Sequence, residues 1–261
     1  LAHAGGKAST YPALPETARG RVPADEGGWT AEAPSSNDAL GLEPPVALSV
    51  EEIAEIVSAW GIAARRADAA GFDALQIHAA HGYLVHEFLS PRSNQRSDEY
   101  GGSFDNRIRF ALEVVSELRR NWPAEKPLAI RFSGEDWVEG GWTIDETVEL
   151  AKRVHELGVT VFDLSSGGIG AFTGPVGPGY QVTLARAVRA ALPQEGTFVT
   201  AVGQITDARH AEAILVAGDA DGITIGRAAL ANPNWPVHAA VALGDGQEGL
   251  VAPQYWRANM A

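Results

Sequence analysis

The sequence predicts a parallel α/β fold of the (β/α)8 TIM-barrel kind, here lacking roughly the first two to three strands. Apolar, strand-like runs occur at 72–77, 128–133, 159–164, 197–202 and 222–226. Helical patterns fill the gaps, at 105–120, 144–157, 181–192 and 207–217. Near-continuous apolar strands alternating with helices indicate a parallel sheet with helices outside it. An open doubly wound sheet would alternate in the same way, but no G-x-G-x-x-G follows a first strand.

Taken in order, the segment 11–48 is rich in proline and has few periodic positions. It reads as a long loop over the top of the barrel, with Trp29 and Pro34–Ser36 as anchors. Long loops of this kind usually serve a function. Ser49 and Glu52 then form a capping box, and Ile53, Ile56, Val57, Trp60 and Ala64 recur at helical spacing. Gly61, inside that helix, should cost about 1 kcal/mol relative to Ala, and Gly71 ends it. Thr143 with Glu146 caps the 144–157 helix, which Gly158 closes; Gly218 closes 207–217. Residues 244–261 form a tail, and 1–261 reads as a single domain.

Composition narrows the classes. The chain has 261 residues, 45% hydrophobic and 20% charged, which suits one globular unit. Its net charge of −13 argues against nucleic acid or an anionic membrane as the main partner. An anionic cofactor remains possible, because it needs only local donors. With no cysteine, the chain can form no disulfide, thiolate nucleophile or Cys-ligated iron–sulfur cluster. There is no signal-like or transit-like start and no apolar run long enough to span a bilayer, so the expected location is the cytoplasm.

The most informative stretch is IHAAHGYL (77–84). It places His78, His81 and Tyr83 where the 72–77 strand should end, and the carboxyl ends of parallel strands are where such folds bind ligands. Two imidazoles there can donate hydrogen bonds to one substrate oxygen, and a phenol can donate a proton. Spacing alone leaves three readings open: catalysis or substrate binding, a structural pair, or a metal site. Arg131, in IRFS, ends the next strand; pointing inward it needs an anion or an internal partner such as Asp136 or Asp163. Gly203 and Gly226–Arg227 end the last two strands. If the missing strands are counted, these are the seventh and eighth, after which β/α barrels often bind phosphate through backbone N–H groups. Ser166–Gly168 can line the same edge. His155, His210 and His238 fall on predicted helices and read as surface or packing residues, as does His86.

IHAAHGYLVHEFLSPRSNQRSDEYGGSFDNRIRF (77–110) closely resembles the old yellow enzyme family of flavin-dependent ene-reductases. LAHAGGKAS (1–9), APSS (33–36), LAIRFSGEDWVEGGWT (128–143), DLSSGG (163–168), PVGPGYQV (175–182), AVGQIT (201–206) and TIGRAAL (224–230) follow in family order. The His-x-x-His form and PQYWRA (253–258) resemble the thermophilic-like, xenobiotic-reductase-like subgroup. The resemblance implies an FMN-dependent oxidoreductase that uses NADPH or NADH to reduce the C=C bond of enones or nitro compounds. It implies His78 and His81 as the oxygen-binding pair and Tyr83 as proton donor. Arg131 would meet the reduced flavin, Gly203, Gly226 and Arg227 its phosphate. Arg257 would reach the neighbouring subunit's substrate site in a homodimer or homotetramer. LAHAGGKAS matches the end of the third barrel strand, hence the expectation that the opening strands are absent. Gly6 and Ala231 depart from the family's usual arginines. Two other readings stand beside this one: a barrel holding no flavin, and a metal-dependent hydrolase using His78 and His81, for which Asp163 is the one obvious further ligand.

Overall fold

The computed structural model describes residues 1–12, 14, 18–37, 39–246 and 248–257. Parts of the 11–48 segment (13, 15–17 and 38) and of the tail (247 and 258–261, including Ala258 of PQYWRA) lie outside them.

Five strands form the main sheet: β3 (Leu75–Ala79), β4 (Leu128–Ser133), β5 (Val161–Ser165), β6 (Phe198–Ala201) and β7 (Gly222–Ile223). They are all parallel and lie side by side in chain order. A doubly wound sheet reverses its strand order at a switch point. No reversal occurs here, so the sheet is an arc of a β/α barrel. The remaining strands, β1 (Glu32–Ala33) and β2 (Val46–Ala47), pair with each other. The expected long loop 11–48 thus carries two short strands that pair its residues 32–33 with 46–47. Trp29 is corrected as an anchor, since it is 66% exposed. Pro34 is buried, and its carbonyl accepts from Arg96.

The helices are α1 (Val50–Ala69), α2 (Leu84–Leu89), α3 (Phe104–Asn121), α4 (Ile144–Glu156), α5 (Val182–Ala191), α6 (Ala208–Val216), α7 (Arg227–Ala231) and α8 (Trp235–Leu243). Both expected capping boxes form. Gly61 is explained by packing: a Cβ there would lie 2.3 Å from Glu117 Oε1, so glycine lets α1 lie close against α3. Helix α2 escapes the sequence pattern because all six of its residues are buried, which leaves no amphipathic period to read.

Four of the five strands differ from their expected bounds, β5 and β6 by one or two residues and β3 and β7 by more. The run 72–77 begins at Leu75, because Phe72 stands 59% exposed in the preceding turn. His78 consequently lies within β3 rather than beyond it. β7 stops at Ile223 instead of residue 226.

Register decides what the sheet presents. Ile77, Ile130, Phe162 and Val199 align across β3 to β6, and all are buried. The next register row is polar: His78 opposite Arg131, Arg131 opposite Asp163, Asp163 opposite Thr200. Successive strand residues face opposite sides of a sheet, so this row faces away from the Ile/Phe/Val layer. Leu1 sits against the free edge of β3: its ammonium donates to Gln76 O at 2.6 Å, and its carbonyl accepts from His78 N at 2.9 Å.

Candidate active site

His78, His81 and Tyr83 gather at the carboxyl end of β3. The His78 ring centroid lies 5.1 Å from that of His81 and 5.2 Å from that of Tyr83. Burial, then the charge of Arg131, holds His78 down at about 4 and His81 at about 3. Both imidazoles are therefore neutral near pH 7, each with one N–H and one lone pair.

His81 adopts a left-handed backbone, φ 60°, uncommon for a residue with a side chain and typical of functional sites. Several groups hold it there. Its N–H donates to Ser133 Oγ (2.9 Å), and that hydroxyl donates to Gly167 O (2.7 Å). Its Nε2 lies 2.7 Å from Ser165 Oγ. Lys7 Nζ donates to the carbonyls of His81 (2.5 Å) and Gly168 (2.8 Å), bridging two loops. The backbones cross so closely that a Cβ on Gly168 would fall 2.2 Å from His81 C, and one on Gly82 would fall 2.2 Å from Gly168 O. His86 is wholly buried: Gly82 N donates to its Nδ1 (2.9 Å), which leaves Nε2 facing Asp136 Oδ1 at 2.9 Å. It braces the loop from behind.

Arg131 meets one of the partners considered from sequence, with its Nε 3.3 Å from Asp163 Oδ2. Asp163 Oδ1 accepts from Thr200 Oγ1 at 2.9 Å. Among the described residues neither terminal nitrogen of Arg131 is paired, so the guanidinium keeps donors for a further acceptor.

Gly203, Gly226 and Arg227 come together around one pocket of about 540 Å³, also lined by Ser165, Thr224 and Gln204. Small-molecule sites commonly have such volumes. Arg227 is exposed and forms no hydrogen bond or ion pair among the described residues. An unpaired guanidinium beside two glycine strand ends is a donor set suited to a phosphate. Arg131 does not line this pocket; Ser165, which touches His81, links the two regions. Arg257 lies exposed just beyond the turn Pro253–Tyr255. Among the described residues no group of three or more His, Cys, Asp or Glu side chains is placed to hold a metal ion.

Sequence reasoning missed Lys7, Ser133 and Ser165. Lys7 and Ser165 do stand inside family-like blocks, LAHAGGKAS and DLSSGG. At Gly6, the N–H donates to both carboxyl oxygens of the buried Glu87 (2.9 and 3.1 Å). Any Cβ there would lie 2.8 Å from Glu87 and 2.9 Å from Leu40, so the usual arginine has no room without a shift. Arg21 brings a guanidinium to this turn instead, donating to the carbonyls of Gly6 and Ala8 at 3.0 Å each.

The sequence profile of the NADH:flavin oxidoreductase / NADH oxidase family matches residues 1–245. The chain belongs to this family. It is 43% identical over 213 residues to an NADPH dehydrogenase of Halalkalibacterium halodurans, covering 81% of this chain and 61% of that protein. It is 47% identical over 189 residues to an NADPH dehydrogenase of Bacillus subtilis, covering 72% and 54%. The chain thus spans little more than half the length of these relatives. Among solved structures it resembles a 2-naphthoyl-CoA reductase (TM-score 0.74, 27% identity, 85% of this chain and 34% of that one). It also resembles the old yellow enzyme homologue of Zymomonas mobilis (TM-score 0.69, 28% identity, 90% and 67%). These structures are (β/α)8 barrels of old yellow enzyme type, and the five-stranded arc matches part of that barrel.

Proposed function

We propose that the protein is an FMN-dependent NAD(P)H oxidoreductase that reduces the activated C=C bond of enones or nitroalkenes. The observation that carries this reading is the neutral His78–His81 pair, packed against Tyr83 at a strand end that shares Ser165 with an anion-suited pocket. Bound FMN would supply a hydride to the substrate's β-carbon, having taken one from NADPH or NADH.

The chain's own residues do the rest. His78 and His81 hold the carbonyl or nitro oxygen, so that charge developing there meets fixed donors. Neutrality matters, because a protonated pair would bind ordinary anions in the same place. If Ser165 donates to His81 Nε2, the proton of that ring resides on Nδ1, which becomes its donor to substrate. Tyr83 gives its phenolic proton to the α-carbon and recovers one from solvent, so substrate gains a hydride and a proton in balance. Arg131 places positive charge toward the reduced flavin. Gly203, Gly226 and Arg227 hold its phosphate. Arg257 serves the substrate site of a neighbouring subunit in a homodimer or homotetramer.

Tyr83→Phe tests the assignment. Flavin reduction by NADPH should persist while flavin reoxidation by enone slows by roughly a hundredfold or more, the usual worth of a positioned acid. Equal slowing of both half-reactions would make Tyr83 merely positional. One observation favours the second reading, a chain that holds no flavin alone: β3 and β7 each have an edge without a strand partner among the described residues. The visible spectrum of the purified 261-residue chain decides, since bound flavin is yellow.

A further inference from the structure

We propose that the pocket beside Tyr83 selects anionic acceptors, namely conjugated, largely apolar compounds that carry a carboxylate met by Arg19. This rests on the ene-reductase reading of the same site and adds the substrate class.

A cavity of about 630 Å³ opens next to Tyr83, separate from the one lined by Arg227. Its walls are apolar, from Tyr11, Leu14, Leu40 and Leu42. Its charged lining residues are Lys7 and Arg19, with no Asp or Glu among the described ones. In a chain with 33 acidic and 20 basic residues, that lining runs against composition; a carboxylate beside this wall, Glu26, accepts from the Tyr11 hydroxyl at 2.7 Å.

The two cations differ in what they have left to offer. Lys7 spends two donors on the carbonyls of His81 and Gly168. Burial lowers Lys7 below the ordinary ammonium range, against the pull of the nearby Glu87 carboxyl, which burial itself pushes up to about 8. Arg19 is exposed and has no hydrogen bond or ion pair among the described residues. A free guanidinium at the rim of an apolar pocket recognises a planar carboxylate well, through paired N–H donors. A compound reaching past Tyr83 into this cavity would lay its apolar body on the leucine walls, with its carboxylate at Arg19.

The discriminating pair is 4-carboxycinnamaldehyde and its methyl ester, which share the enal and differ in charge. The acid should show a KM lower by about fivefold, the worth of an exposed charge pair, and the advantage should shrink at high ionic strength. Arg19→Gln should abolish the preference and Arg19→Glu should reverse it. Arg19 has no partner among the described residues, so melting temperatures should match. An acid-to-ester ratio unchanged in R19E would overturn the proposal. Calorimetry with 4-hydroxybenzoate and its methyl ester reads the same preference without turnover. Acid binding that depends on Arg19 in a protein that reduces neither enal would sink the redox reading and keep this one. Equal affinity for both ligands, whatever the Arg19 variant, would overturn this one alone.

Discussion

The β3 end and the β7 end of the sheet are built on opposite plans. At the β3 end, His81 is gripped by Ser133, Ser165 and Lys7, in a backbone crossing that leaves no space for a Cβ. At the β7 end the final strand has two residues, a Cβ on Gly226 would meet nothing within 4 Å, and Arg227 has no partner among the described residues. Groups that must meet a developing charge gain from geometry fixed beforehand by the protein. Groups that hold a cofactor phosphate must keep their donors free until it arrives. With the proposed function, the contrast predicts that substitutions at the β3 end act on chemistry and folding together, and those at the β7 end on cofactor affinity.

On the proposed function, the largest expected effect comes from removing both proposed oxygen donors. His78→Ala with His81→Ala should cost on the order of 3 kcal/mol per donor in the transition state, while bound FMN is retained. Enone reduction unchanged in steady-state assays would break the assignment at this end.

Next is a matched pair of glycines. Gly168→Ala puts a Cβ 2.2 Å from His81 C at φ 112°, so about 3 kcal/mol of stability should be lost by strain and clash. Gly226→Ala should move the urea midpoint far less. Similar losses at both sites would erase the contrast between the two ends.

A smaller effect is expected at Arg227. Its replacement by Ala should weaken FMN binding by about 1.5–3 kcal/mol, the worth of hydrogen bonds to a charged group, and leave the melting temperature of the flavin-free protein nearly unchanged. A large drop in that temperature would show that Arg227 belongs to the fold rather than to the cofactor.

The remaining effects concern pH, and they oppose each other. The histidines at about 4 and about 3 stay neutral when folded, whereas unfolded histidine takes up its proton near 6.5. Their contribution to stability therefore falls as pH drops from 6.5 through the folded values. Glu87, at about 8 against an ordinary 4.5, keeps its proton when folded. Its contribution falls as pH rises from 4.5 through 8. Glu87→Gln retains an acceptor for Gly6 N–H, and should raise the melting temperature more at pH 8 than at pH 5. An equal change at both pH values would show that the Glu87 carboxyl is already ionised.

Much of this molecule was legible in sequence where the signal is local. The β4 run matches residue for residue, and Ser49–Glu52 and Thr143–Glu146 cap as their spacing dictates, because a cap involves only neighbours in the chain. The three site residues at the end of β3 were legible because they lie within six positions of one another. What only the tertiary structure decided is register and crossing. A polar row running His78–Arg131–Asp163–Thr200 exists only once four distant strands align, and a shift of one residue would face those side chains the other way. The grip of Lys7 on Gly168 spans 161 positions, and the missing Cβ atoms at Gly82 and Gly168 matter only because two loops cross there. Local patterns record what a residue can do with its neighbours in the chain, whereas these contacts depend on alignment of distant strands and loops, which no single segment encodes.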